Sequence, residues 1–221
     1  MKLTSRKALL VGIGFSCVAS LSALAGVTTI TFDELGSQPS LFDETVALGN
    51  QYSYLGVDFM GNGSPSGGGA ILDQSGNFGV PALSGNDFLA FNANARLQNG
   101  GIPSGPEIIT FASPVSSVSI YGGFGSSVDF TLAGYGASDN LLASTSAENA
   151  PGQYVELSIA APGITSITLN GDSYAYVFDN LSFGGSGGNS VPDAGSTFVC
   201  LGIGLIGLVG LRRRMFAGQC Q

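Results

Sequence analysis

The middle of this sequence predicts an all-β fold, a two-sheet β-sandwich or jelly roll. Three observations predict it. Between Val27 and Phe183 no helical period of useful length occurs. Short segments rich in Val, Ile, Thr, Tyr and Phe recur instead, separated by Gly, Pro, Asn, Asp and Ser. Two segments alternate cleanly. In Ser127–Ala133, Val128, Phe130 and Leu132 share a face opposite Asp129 and Thr131; in Gln153–Ala160, Val155, Leu157 and Ile159 oppose Tyr154, Glu156 and Ser158. A period of two is what a half-buried strand needs.

In chain order, the predicted strands begin with Val27–Asp33 and Gln51–Met60. Shorter ones follow at Ala70–Asp73 and Phe88–Asn92, then Glu107–Phe111 and Pro114–Gly122. After Ser127–Ala133 and Gln153–Ala160 come Ile164–Leu169 and Ser173–Phe183. Such a series of short strands with spaced turn signals fits two packed sheets. Gly61–Gly69 reads as a long flexible loop. Its glycines have no strand-to-helix setting for phosphate binding.

The ends of the chain are unlike this middle. Residues 1–25 read as a secretory signal: Lys2, Arg6 and Lys7, then an apolar run from Ala8 to Leu24, then the small-x-small pattern Ala23-Leu24-Ala25. Residues 26–183 form the β-sandwich domain, and 184–190 a Gly/Ser linker of the flexible-coil type. Ser196–Leu211 is free of charge and is followed by Arg212, Arg213 and Arg214. Sixteen such residues fall slightly short of the roughly 20 of a spanning helix. Ala194, Gly195 and snorkelling arginines make up most of the difference. The arginines act as a stop-transfer signal and place that end in the cytoplasm, with the domain outside. Residues 215–221 form a short cytoplasmic tail.

Composition excludes several functions. The predicted domain carries fourteen acidic residues and one basic residue, Arg96, a balance that repels nucleic acid. The chain has no His, which removes Ser-His-Asp and Cys-His catalysis and His-ligated zinc. Cys17, Cys200 and Cys220 all lie outside the domain, which therefore has no internal disulfide.

The C-terminal layout is a short motif, an apolar run and a basic cluster: Val191, Pro192, Asp193, Ala194 and Gly195, then Ser196–Leu211, then the arginines. It resembles the PEP-CTERM class of bacterial sorting signals, in its VPDSG-CTERM variant, with Ala194 where that variant usually has Ser. The resemblance implies recognition and cleavage by a membrane-embedded exosortase. It also implies transient anchoring through the C-terminal helix, transfer to the cell surface or extracellular matrix, and an association with exopolysaccharide. The domain itself resembles, more loosely, the β-sandwiches such proteins carry.

Strict alternation in the last strand puts Val177, Asp179, Leu181 and Phe183 on one face, leaving Asp179 among apolar neighbours. An ionised carboxylate there needs a partner. A bulge near Asp179-Asn180 that turns the carboxylate outward is one solution; backbone N–H donors are another. The third is Ca²⁺, since hard cations take oxygen ligands. Asp33, Glu34 and Asp179 would hold it, with Asp87 as a further ligand. Resemblance to carbohydrate-binding jelly rolls, whose first and last strands lie together around a structural Ca²⁺, implies the same set. Among the seven tyrosines, Tyr154 is the best placed to stack on a sugar. Glu107, Glu148 and Glu156 are expected to be solvated at the surface, and no catalytic residue is proposed. The expectation is a non-enzymatic, exported surface protein with Ca²⁺-assisted polysaccharide contacts. The alternative is a lectin-like module with a defined sugar site, and a glycoside-active enzyme ranks third.

Overall fold

The computed structural model describes residues 26–63 and 67–185. The expected signal peptide, the sorting motif Val191–Gly195, the apolar run and Arg212–Arg214 all lie outside these residues. Nine strands make up the domain: β1 (Val27–Ile30), β2 (Val57–Phe59), β3 (Ala70–Asp73), β4 (Asp87–Asn92), β5 (Glu107–Phe124), β6 (Asp129–Tyr135), β7 (Leu141–Glu148), β8 (Gln153–Gly171) and β9 (Ala175–Gly184). Among the described residues the only helical pieces are short 3-10 turns, and no helix is long and apolar enough to cross a membrane.

The all-β expectation holds, but the two separate sheets do not. All strands pair antiparallel in one sheet, ordered β3-β4-β9-β5-β8-β6-β7, with β1 joined to β9 and β2 to β5. Two strands make this possible. β5 has 18 residues and β8 has 19, against an ordinary length of about 5–6. The sequence reading split each of them, at Pro114 and near Pro162. Their pairing instead continues past both prolines, with register slips between Thr110 and Val115 and between Val115 and Ser117. Bulges bend a ribbon without ending it, and they are where a strand tolerates a residue with no N–H. Inward residues on both sides of the bend, Ile109 and Phe111 before it and Val118 and Ile120 after it, join the same core cluster. The sheet therefore curls around one main core.

Other boundaries moved for local reasons. β1 stops at Ile30 because Phe32 turns left-handed, with φ of 68°. That conformation is uncommon for a bulky residue. Here the fully buried ring is held edge-on by Tyr52 and Phe59, at centroid distances of 6.1 and 6.2 Å. The predicted strand Gln51–Met60 is a 3-10 turn, Ser53–Leu55, followed by three strand residues. β7, Leu-Leu-Ala-Ser-Thr-Ser-Ala-Glu, is a strand that the sequence pattern does not predict. Its small polar residues carry little strand preference, and its pairing with β6 holds it in place.

β3, β4 and β9 are buried on both faces. Leu89, Phe91, Tyr176 and Phe178 face the main core, while Phe88, Ala90, Ala175 and Val177 face a second cluster closed by Phe42 and Phe78 from the loops. Long loops thus do the work of a second layer over this part of the sheet.

The turn before β8 is held by one side chain. Asn149, 1% exposed, accepts the Val128 N–H at 2.8 Å and donates to the carbonyls of Phe124, Ala150 and Gln153 at 2.9–3.1 Å. Asn149→Ala leaves the buried Val128 N–H without its acceptor and takes a donor from each carbonyl, of which those of Phe124 and Ala150 keep the N–H groups of Gly152 and Gln153. It is expected to lower unfolding free energy by about 2–3 kcal/mol in urea titrations.

Candidate functional site

The buried carboxylates are the polar features most worth explaining, because the core offers few ways to satisfy them. Asp179 is fully buried. A bulge does occur beside it: Asn180 has φ of 54°, and the β5–β9 register slips between Ser119/Ser182 and Tyr121/Asp179. It does not turn the carboxylate outward. Instead it changes the phase of β9, so that Leu181 and Phe183 face the main core with Phe178, whereas Val177 faces the second cluster. The strict alternation expected for Val177, Asp179, Leu181 and Phe183 is thus broken at Asn180. Asp179 accepts the N–H groups of Leu83 at 2.7 Å, Ser84 at 3.3 Å and Asn180 at 2.7 Å. Burial nonetheless outweighs these bonds and pushes its pKa up to about 6.

Asp33 and Asp87 lie close by. Asp33 accepts the N–H groups of Asn86 at 2.7 Å and Asp87 at 3.2 Å. Gly85, at φ of 57°, packs so tightly on this carboxylate that a Cβ would collide with it. Asp87 is 4% exposed, and burial followed by the charges of Asp33 and Asp73 raises its pKa to about 6. Glu34 points elsewhere. It accepts from the Thr31 N–H and hydroxyl at 2.8 and 3.0 Å and from the Tyr52 hydroxyl at 3.2 Å.

The proposed ligands Asp33, Glu34, Asp87 and Asp179 therefore do not converge on one point. Among the described residues no group of three or more His, Cys, Asp or Glu is placed to share a metal ion. Asp33 Oδ1 and both oxygens of Glu34 and of Asp179 already accept hydrogen bonds from the protein's own donors. The melting temperature is expected to be equal in Ca²⁺ and in chelator; a rise with Ca²⁺ would show that the carboxylates rearrange around it.

Glu107 departs from the expected solvated surface position. Far from being solvated, it is fully buried, and it accepts the N–H groups of Gly61 and Gly69, each at 2.7 Å. It clamps both ends of the glycine-rich loop. Gly68, at φ of 97°, has no room for a Cβ, which would sit 2.7 Å from Glu107 Oε2. Burial raises the pKa of Glu107 to about 8 against the two hydrogen bonds that lower it. The signal was present in the alternation: Ile109 and Phe111 face inward, so Glu107 must as well. Glu156 and Glu148, the latter at the end of β7, are exposed as expected.

Tyr154 is not a free stacking platform. Its ring lies over Gly123, where a Cβ would come within 2.7 Å, and its hydroxyl donates to the Pro81 carbonyl at 3.0 Å. The exposed tyrosines are Tyr54, stacked on Tyr52, and Tyr174, edge-on to Phe124.

Fold and site together define a β domain whose buried carboxylates hold its own loops in place. The class of protein is set at the other end of the chain: residues 190–215 match the VPDSG-CTERM motif. The chain thus carries a PEP-CTERM-like exosortase sorting signal, which implies export, processing by an exosortase and surface association. No curated protein matches the chain. Among solved structures it is similar to the K2 cleaved adhesin domain of Lys-gingipain, at 10% identity over 72% of this chain and 99% of that one, with a TM-score of 0.45. It is also similar to a DUF4465 family protein from Bacteroides caccae, at 12% identity over 72% and 98% of the two chains, with a TM-score of 0.46. A third similar structure contains the CBM22-1 and GH10 modules of a Clostridium thermocellum xylanase. There the identity is 10%, the coverage 69% of this chain and 29% of that one, and the TM-score 0.36.

Proposed function

We propose that this chain is an exported protein, anchored transiently by its C-terminal segment and then handed by an exosortase to the cell surface or extracellular matrix, where its β domain acts without catalysis. The observation that carries the reading is the match of residues 190–215 to the sorting motif. The domain chemistry supports the non-catalytic part. Asp179 and Glu107 accept backbone N–H groups and brace loops, a structural use of carboxylates. Association with polysaccharide belongs to the same reading, through exposed surface rather than a deep cleft.

Mass spectrometry of the protein from cells and from medium tests the sorting step. Secreted protein is expected to lack the segment Leu201–Arg214, and a Pro192→Ala, Asp193→Ala variant is expected to retain it in the membrane fraction. Secreted protein that keeps the segment intact overturns the reading. A lectin-like module is the second reading, favoured by the exposed ring of Tyr174, which is 60% accessible. Saturable binding on a glycan array, lost in Tyr174→Ala, would establish it.

A further inference from the structure

The two ends of the domain leave from one place. Val27 is the register partner of Gly184, and Gly184 also pairs with Ser117 on β5. The segments that precede residue 26 and follow residue 185 therefore join the domain at a single corner. The bends of β5 and β8 complete this corner with residues 111–117 and 158–163.

The corner differs in charge from the rest of the surface. The residues of the corner, 26–30, 111–117, 158–163 and 181–185, contain no charged side chain, in a domain with fourteen acidic residues. A shallow groove of about 230 Å³ lies there, lined by Thr28, Leu55, Phe111, Pro114 and Phe183 among others, with no charged group. Val27 stands 71% exposed beside it. Asp58, opposite Thr110, and Asp139, in the turn that follows Tyr135 opposite Ser166, are acids near its margin. At the far end of the same ribbon the turn around Ala150 adjoins Phe124, with Glu148, Asp129 and Asp172 close by. From Ser117 to Phe124 the strand runs about 23 Å.

Chain length ties this corner to a membrane. Five residues separate Gly185 from Val191, so the sorting motif is at most about 20 Å from the corner. A bilayer containing anionic lipids repels an acidic surface within about one Debye length, some 8–10 Å, whereas an uncharged patch can approach it.

We propose that this uncharged corner rests on the surface of the lipid bilayer that holds the C-terminal segment, presenting the Ala150 turn outward and keeping the sorting motif at the membrane. The inference rests on the anchored, exported reading above. Docking by this corner directs Tyr174 and the acidic margin away from the membrane, toward whatever the surface protein meets.

The test uses the full chain carrying Cys17→Ser, Cys200→Ser and Cys220→Ser, with one new cysteine, Ser113→Cys at the corner or Ala150→Cys at the far turn. Each variant carries a fluorophore and is reconstituted into phosphatidylethanolamine–phosphatidylglycerol vesicles bearing a headgroup quencher. Both chains should float with the vesicles, and the label at position 113 should be quenched several-fold more than that at 150. Adding Ser117→Glu and Ala112→Glu, both on exposed positions, should reduce that difference while leaving the thermal melt unchanged. Flotation with equal quenching at the two positions overturns the docked orientation alone. Failure to float overturns the anchored reading and the orientation with it.

Discussion

Glu107→Ala is expected to lower the unfolding free energy by about 3–5 kcal/mol. Gly61 and Gly69 both donate to this carboxylate, and alanine offers no acceptor to either. An orphaned buried N–H costs about 1–3 kcal/mol, and the cavity left by the side chain adds to it. The damage spreads through the backbone. Gly61 also accepts the Ile108 N–H at 2.8 Å, and Gly69 accepts that of Leu48 at 2.8 Å, so the clamp holds the start of β5 and the segment before β2 as well as the loop. Total stability of an ordinary domain is about 5–15 kcal/mol, so the loss leaves a marginal protein. Glu107→Gln keeps one acceptor oxygen and should lose less. Urea unfolding followed by tyrosine fluorescence measures both, since the chain has no Trp. A loss below about 1 kcal/mol for the alanine variant would mean that the loop does not depend on the clamp.

The pH dependence of stability should run opposite to ordinary acid denaturation. Glu107 is raised to about 8, and Asp87 and Asp179 to about 6, above their ordinary values of 4.5 and 3.8. For each group the folded state binds the proton more tightly than the unfolded state. Its stabilising share is therefore full below the unfolded value and is lost as pH rises through the folded one. Between pH 4 and 6 all three contribute to the slope; between 6 and 8 Glu107 carries most of it. A full proton of difference corresponds to about 1.4 kcal/mol per pH unit. Repulsion among fourteen acids facing a single arginine acts in the same direction. Asp73, held below its ordinary value by the Ser75 side chain and N–H, runs the other way and acts only at lower pH. Thermal melts should thus peak near pH 4 and fall toward pH 8, and Glu107→Gln should flatten the arm above pH 6. An unchanged arm in that variant would assign the slope to other groups.

Much of the fold was legible from period and punctuation. Eight of the strands overlap segments identified by β-branched and aromatic content between turn residues. The bends at Pro114 and Pro162 were read as breaks because a proline usually ends a ladder. Only the pairing partner shows that a bulge absorbs it. β7 was invisible because Ala, Ser and Thr at a sheet edge carry no burial signature. The buried Asp179 was legible, but its resolution was not. One residue, Asn180 in a left-handed conformation, shifts the strand's phase and brings three N–H donors onto the carboxylate.

Local sequence alone carries the sorting signal, the charge balance that repels nucleic acid and the strand-built domain. These are local properties: a motif of contiguous residues, a charge count, a period of two. The tertiary structure alone decided that the strands form one curled sheet, that the four carboxylates do not share a site, that Glu107 serves the glycine-rich loop, and that both ends of the domain meet at one uncharged corner. Each of these depends on contacts between residues dozens of positions apart, such as Gly61 with Glu107 or Val27 with Gly184, which no local pattern encodes.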